Sequence, residues 1–251
     1  MRTSLLPGLS MAAARAQRHG AETARLFEIA RTFRPTDAAL PNEQTTLAIA
    51  LAGERAGWSG GERPFDLYDG KGVIEALLDG VFGRTPTLAR GEVPPFMHPK
   101  RSALVILEGR PVGFVGEIHP DVGDDLELVG RVVYAEIDVA ALHDLSEELG
   151  PTQASGLPKF PAVTRDIAML VRDEFSAGEI ASALEAASKG LAESVALFDL
   201  YRGDQIPAGH RSLAFRVTYR DPDATLTDKR VDKVHTGLAK IVRDRFEATL
   251  R

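Results

Sequence analysis

The segment FDLYRGDQIPAGHRSLAFR, residues 198–216, sets an acid, a phenol, a hydroxyl and a methyl at alternating positions: Asp199 and Tyr201 in one run, Ser212 and Ala214 in the next. Residues two apart in a strand share a face, so pairing the two runs would gather all four groups on one surface. A ring beside two compact side chains can stack an unpaired base, while polar neighbours read its edge. A carboxylate accepts hydrogen bonds only. By pattern alone, Tyr201 is an ordinary half-exposed strand tyrosine.

The elements that must position these residues follow from periodicity. VTRDIAMLV (163–171) reads as a strand. A helix follows, opened by a capping box of Ser176 and Glu179 and turned inward by Ile180, Leu184 and Ala187. Two strands come next, in which Phe198, Leu200, Leu213, Phe215 and Val217 should face the helices, leaving Asp199, Tyr201, Ser212, Ala214 and Arg216 outside. Thr227 caps a last helix with a Val231, Val234, Leu238, Ile241 and Arg245 stripe, and EATLR must supply the final strand. That order predicts a ferredoxin-like α/β sandwich over 157–251 with one open sheet face.

Ahead of it, Pro and Gly in LGPTQASGLPKFP (149–161) mark a boundary, with 151–156 as linker. Residues 1–150 read as an antiparallel sheet with helices, so the chain as a whole is α+β. Strands are expected at 25–33 and 45–53, and a helix over 71–82 with a Val73, Leu77 and Val81 stripe. A hairpin is expected at 102–118 turning on Glu108, Gly109 and Arg110, then a strand running into a helix over 132–145.

Composition narrows the chemistry. Of the net charge of −6, residues 157–251 contribute 15 Lys and Arg against 14 Asp and Glu, leaving the acidic excess to the first part. Neither part is a strongly basic nucleic-acid binder, so RNA contact would need a local patch. No cysteine is present, which removes disulfides, thiolate metal sites and a cysteine nucleophile. His98 and His119, each followed by Pro, read as loop or turn residues and not a metal pair, and no metal ligands are assigned. Asp124 with Asp125, and Glu147 with Glu148, read as exposed charge and not a catalytic pair. The longest apolar run, Leu47 to Ala52, is far below the ~20 residues of a membrane span, and a cytoplasmic location is the default expectation.

LPKFPAVTRDIAMLV and FDLYRGDQIPAGHRSLAFRVTYRDPDATLTDKRVDKVH resemble the ferredoxin-fold anticodon-binding domain that ends the beta subunit of bacterial phenylalanyl-tRNA synthetases. MRTSLLPGL, RLFEIARTF, FMHPKRSA, GFVGEIHPDV and YAEIDVAAL resemble the class II synthetase-core-like module that precedes it. The resemblance implies that Asp199, Tyr201, Ser212 and Ala214 bind the first anticodon base, a guanine, with Arg202, Arg211, Arg216 and Arg220 around them to hold phosphates. Asp166 is expected beside Arg216, where a cross-strand ion pair competes with RNA contact. Lys159 and Arg165 are open in the same way.

The resemblance also implies that residues 1–150 are catalytically inactive. Phe33 and Arg34 survive from a Phe-Arg-x-Glu motif, but Thr36 stands where the glutamate would be, and YAEIDVAAL lacks the glycines and arginine of the third motif. Arg34 then reads as a solvated arginine. Catalysis, with ATP and magnesium, would lie on an alpha subunit partner in a dimer of alpha–beta dimers that charges tRNA(Phe), with neither DNA nor membrane involved. The chain would be the last third of such a subunit, Met1 an internal methionine, and the apolar MRTSLLPGL a surface facing a missing part or partner. The competing expectation is a non-enzymatic regulatory or assembly module, since ferredoxin-like sandwiches also bind effectors and proteins.

Overall fold

The computed structural model describes residues 1–37, 39–55, 61–150 and 156–251. The chain divides into two compact units, Met1–Gln153 and Ala154–Arg251.

The first unit runs α1 (Leu6–Arg18), β1 (Thr23–Arg34), β2 (Asn42–Arg55), β3 (Arg63–Pro64), α2 (Leu67–Phe82), β4 (Thr87–Ala89), β5 (Met97–Leu107), β6 (Arg110–Ile118), α3 (Pro120–Asp125), β7 (Val132–Asp138) and α4 (Val139–Leu149). Its strands form an antiparallel sheet in the order β1-β2-β7-β6-β5-β4, with β3 on the end of β2. In the LAIALA run of β2, Ala48, Ala50 and Ala52 face α1, where Ala13 and Ala14 need close approach, and Leu47, Ile49 and Leu51 face the core shared with α2 and α4. Both faces of the central strands are covered, so β7 is buried on either side, Glu136 included.

Three expectations change here. First, the leucines of MRTSLLPGL are core and not an outward surface: Leu5 has no exposed area, and Leu6 and Leu9 are buried with it, while Met1 lies exposed. The segment is pinned by Glu136, whose Oε1 accepts from Ser4 Oγ at 2.6 Å, Leu5 N at 2.8 Å and Tyr134 Oη at 2.6 Å. Burial, then the adjacent carboxylate, pushes the pKa of the Tyr134 hydroxyl well above its ordinary value, keeping it a donor. Second, the buried stripe of α2 is Gly70, Ile74 and Leu78, while Val73 and Val81 lie exposed. A Cβ on Gly70 would sit 2.5 Å from Val133, so the helix rests this bare position on the sheet, and Ile74 and Leu78 follow at steps of four. Third, Arg110 already pairs with Leu107. The hairpin turn is Glu108 and Gly109 alone, both at positive φ, as a two-residue primed turn requires.

The second unit is β8 (Val163–Arg172), α5 (Ala177–Ala187), β9 (Ala192–Tyr201), β10 (His210–Tyr219), α6 (Asp228–Phe246) and β11 (Thr249–Leu250). The sheet order is β11-β8-β10-β9, antiparallel throughout, with EATLR supplying the outer strand as expected of a ferredoxin-like sandwich. Ser176 and Glu179 form the reciprocal capping box and Thr227 caps α6. Both helices pack on one face through Ile180, Leu184, Val231 and Leu238, against Ile167, Met169, Leu213, Phe215 and Val217. Beyond Leu238 the stripe of α6 steps by four to Val242 and Phe246, not to Ile241 and Arg245, because 3.6 residues per turn outruns a 3.5 repeat.

His235 ties α6 to the sheet. Its Nδ1 lies 2.9 Å from Tyr219 Oη, and its ring also bonds the Asp166 carbonyl. Burial lowers its basicity from the ordinary 6.5, assisted by Arg165 and opposed by the Asp166 carbonyl, Asp232 and the Asp166 carboxylate. The unfolded chain therefore takes up this proton first as pH falls, so the stability involving His235 is intact above about pH 6.5 and declines below it, down to the depressed folded value. His235→Gln is expected to flatten that acid-side decline in denaturant midpoints measured from pH 7 to 5. Leu5→Ala is expected to lower stability by ~2–5 kcal/mol as a core truncation; a change within about 0.5 kcal/mol would return the residue to the surface.

Candidate nucleic-acid interface

The face of the second sheet away from the helices carries the four platform residues. Tyr201 pairs with Ser212 and Asp199 with Ala214 in the β9–β10 register, so all four lie on one side. Tyr201 is 45% exposed. Ser212 and Ala214 are buried at its foot, where they form a floor without bulk. Asp199 is exposed and has no hydrogen bond or ion pair among the described residues, so its oxygens are open to an incoming donor.

Two residues not anticipated complete the surface. A bulge between Ala214 and Phe215 inserts one extra β9 residue: Asp199 faces Ala214, Leu197 faces Phe215, and Phe198 is left over. Phe198 consequently does not point at the helices as alternation predicts. Its ring lies 4.9 Å from the Arg216 guanidinium, a cation–π contact. Leu200 keeps the helix-side parity opposite Leu213, but it is half exposed. The clue was the adjacent Leu197 and Phe198, which break the apolar–polar alternation just before Asp199. The second residue is Gly203. A Cβ there would fall 2.2 Å from Tyr201 Oη and 2.6 Å from Cζ, so the ring lies against bare backbone.

The arginines divide differently from expectation. Arg216 shares the platform face, with Nε and Nη2 on the two Asp166 oxygens at 2.9 and 2.8 Å. That pairing raises the arginine's basicity and lowers the basicity of the carboxylate. Arg216 is therefore a brace between strands, engaged at its edge by Asp166 and on its face by Phe198. Arg202 pairs with Asp173 at 2.9 Å. Arg211 does not belong to the platform: opposite parity sends it to the helix side, where Nη2 donates to Phe175 O at 2.5 Å. Arg220, beyond the far end of β10, is held by Glu193 at 3.0 Å and by the Phe160 carbonyl. Arg165 is taken by Asp228 and Asp232, while Lys159 is exposed.

In the first unit, Arg34 is exposed opposite Asn42 near the end of its hairpin. His98 and His119 stack at 6.3 Å, but each directs Nδ1 to its own backbone N–H groups, from Lys100 and Arg101 in one case and Asp121 in the other. Glu148 is bound through both oxygens by Arg110. Among the described residues no three His, Asp or Glu side chains converge as a metal site would require, and no helix is long and apolar enough to cross a membrane.

Residues 1–139 match the family model of the phenylalanyl tRNA synthetase beta chain CLM domain, and residues 158–251 match that of the ferredoxin-fold anticodon binding domain. The chain is 38% identical over 247 residues to a phenylalanine–tRNA ligase beta subunit of Symbiobacterium thermophilum, covering 97% of this chain and 27% of that protein. Those of Clostridium acetobutylicum and Geobacter sulfurreducens are 34% and 37% identical across the whole chain, which covers 30% and 32% of their lengths. The chain thus spans under a third of the curated relatives it matches.

Gly203→Val is expected to lift the Tyr201 ring off its seat. Single-stranded oligonucleotide binding should then weaken by up to the ~1–3 kcal/mol of one stacked base, with thermal stability unchanged, as read by fluorescence titration and melting.

Proposed function

The chain belongs to the phenylalanyl-tRNA synthetase beta chain family, and from that premise we propose that its second unit binds the anticodon of tRNA(Phe), reading the first anticodon base as guanine. The observation that carries this reading is the pairing of Tyr201 with Ser212 and Asp199 with Ala214 on one uncovered face. The ring stacks the base, the two small residues leave room for a purine, and Asp199 accepts from N1 and N2. Of the four flanking arginines, Arg202 is the one placed to meet an adjoining phosphate, exchanging Asp173 for it; Arg216 shapes the face.

The first unit is proposed as a core-like scaffold that supports assembly with a catalytic alpha subunit, in a dimer of alpha–beta dimers acting in the cytoplasm. ATP and magnesium belong to that partner in this reading. Phenylalanine activation would then need the partner, and this chain alone would give none. A regulatory or assembly module would bind no RNA by base identity.

A titration separates the two. The chain should bind an anticodon stem-loop carrying guanine at the first anticodon position more tightly than the same loop with adenine there. Asp199→Ala should erase that preference, worth ~1–3 kcal/mol. Equal affinity of the unaltered chain for both loops would sink the reading.

A further inference from the structure

A cleft of about 490 Å³ lies at the other edge of the same sheet, between β8 and α6, within the ~300–1,000 Å³ span of ligand sites. Its walls include Asp166, Ala168, His235, Lys240, Arg243 and Arg251. The α6 members recur at helical spacing, so one face of the helix looks into it.

The charge in this cleft is one-sided. Lys240, Arg243 and Arg251 make no ion pair with a described residue, unlike Arg165, Arg172, Arg202, Arg216 and Arg220. The acid at the rim, Asp166, is already neutralised through both oxygens by Arg216. His235 spends its ring on Tyr219 and the Asp166 carbonyl, so it brings neither a counter-charge nor a vacant ligand atom. The strand edge below is also occupied. Ala168 O accepts from Arg251 N at 3.0 Å, and Met169 and Leu170 pair with β11. An added peptide strand would find few backbone partners there, whereas an anion would find Lys240 and Arg243, two cations without an ion-pair partner among the described residues.

The cleft meets the platform at the β8 edge, with α6 lying on the opposite face of the sheet. Asp199, Ala214 and Ala168 form a single row across β9, β10 and β8, and Ala168 lines the cleft. Two strand spacings, ~10 Å, separate Asp199 from Ala168 at the rim, and a bound backbone would turn over the β8 edge there to reach Lys240 and Arg243 on α6. We infer that the cleft is a second nucleic-acid subsite, in which Lys240 and Arg243 hold the sugar–phosphate backbone of the RNA whose base rests on Tyr201. The inference rests on the anticodon reading for the identity of the RNA, but on its own residues for the contact.

The test is Lys240→Gln with Arg243→Gln in the full chain, titrated with the guanine and adenine stem-loops across a salt series. Each lost phosphate contact in a single-stranded region should make the slope of log affinity against log salt shallower by about 0.7, so by about 1.4 for the pair. Both loops should weaken by the same factor, since phosphates carry no base identity. Lys240→Arg with Arg243→Lys should restore the slope. Neither side chain has a hydrogen bond or ion pair with a described residue, so the melting temperature should hold. Asp199→Ala is the control: it should remove guanine preference at unchanged slope. If it is silent while the double variant flattens the slope, the subsite stands and the base-reading platform falls. An unchanged slope in the double variant overturns the subsite and leaves the cleft to an acidic protein. No RNA binding by the unaltered chain overturns both.

Discussion

The double pairing of β10 is the constraint on which the C-terminal unit depends. Bonded to β8 on one side and β9 on the other, it alternates Leu213, Phe215 and Val217 into the helices with Ser212, Ala214 and Arg216 outward. A slip of one residue would exchange the two sets, burying an arginine and exposing three large apolar groups. The packing that stabilises the sandwich is therefore the same packing that fixes what the open face presents. Burial of Phe215 and Val217 on one side is what holds Ser212 opposite Tyr201 on the other.

Electrostatics on that face is local. Arg216 is consumed by Asp166 and Phe198, Arg202 by Asp173 and Arg220 by Glu193, which leaves the near-neutral unit without a basic field over the platform. Shape and hydrogen bonding must then do the reading, and charge must be supplied from elsewhere. Exposed ion pairs of this kind contribute little stability. Their effect is to fix side-chain directions around the ring.

Much of this was legible in the sequence. The capping residues Ser176, Glu179 and Thr227 mark their helices, the alternation in β10 assigns its faces, and the Asp166–Arg216 pairing follows from strand order. The parity of β10 also assigns Arg211 to the helix side, so that residue's departure from the platform was readable. Other features carried no local mark. The helix α1 was one of them: Pro7 lies in its first turn, where proline is tolerated because the amide would be unsatisfied anyway. The stripe of α2 depended on Gly70 meeting Val133, a contact between residues far apart in the chain. The bulge at Phe198 adds one residue to one strand, which only the partner's register reveals.

That extra residue has a consequence beyond recognition. β9 is the border strand of its sheet and carries Leu197, Phe198 and Leu200, all at least 40% exposed. A straight, apolar border would template further strands from neighbouring molecules. The bulge interrupts the regular backbone ladder along this stretch and adds local twist, so an edge kept greasy enough to receive a base is also kept too irregular to seed a fibril.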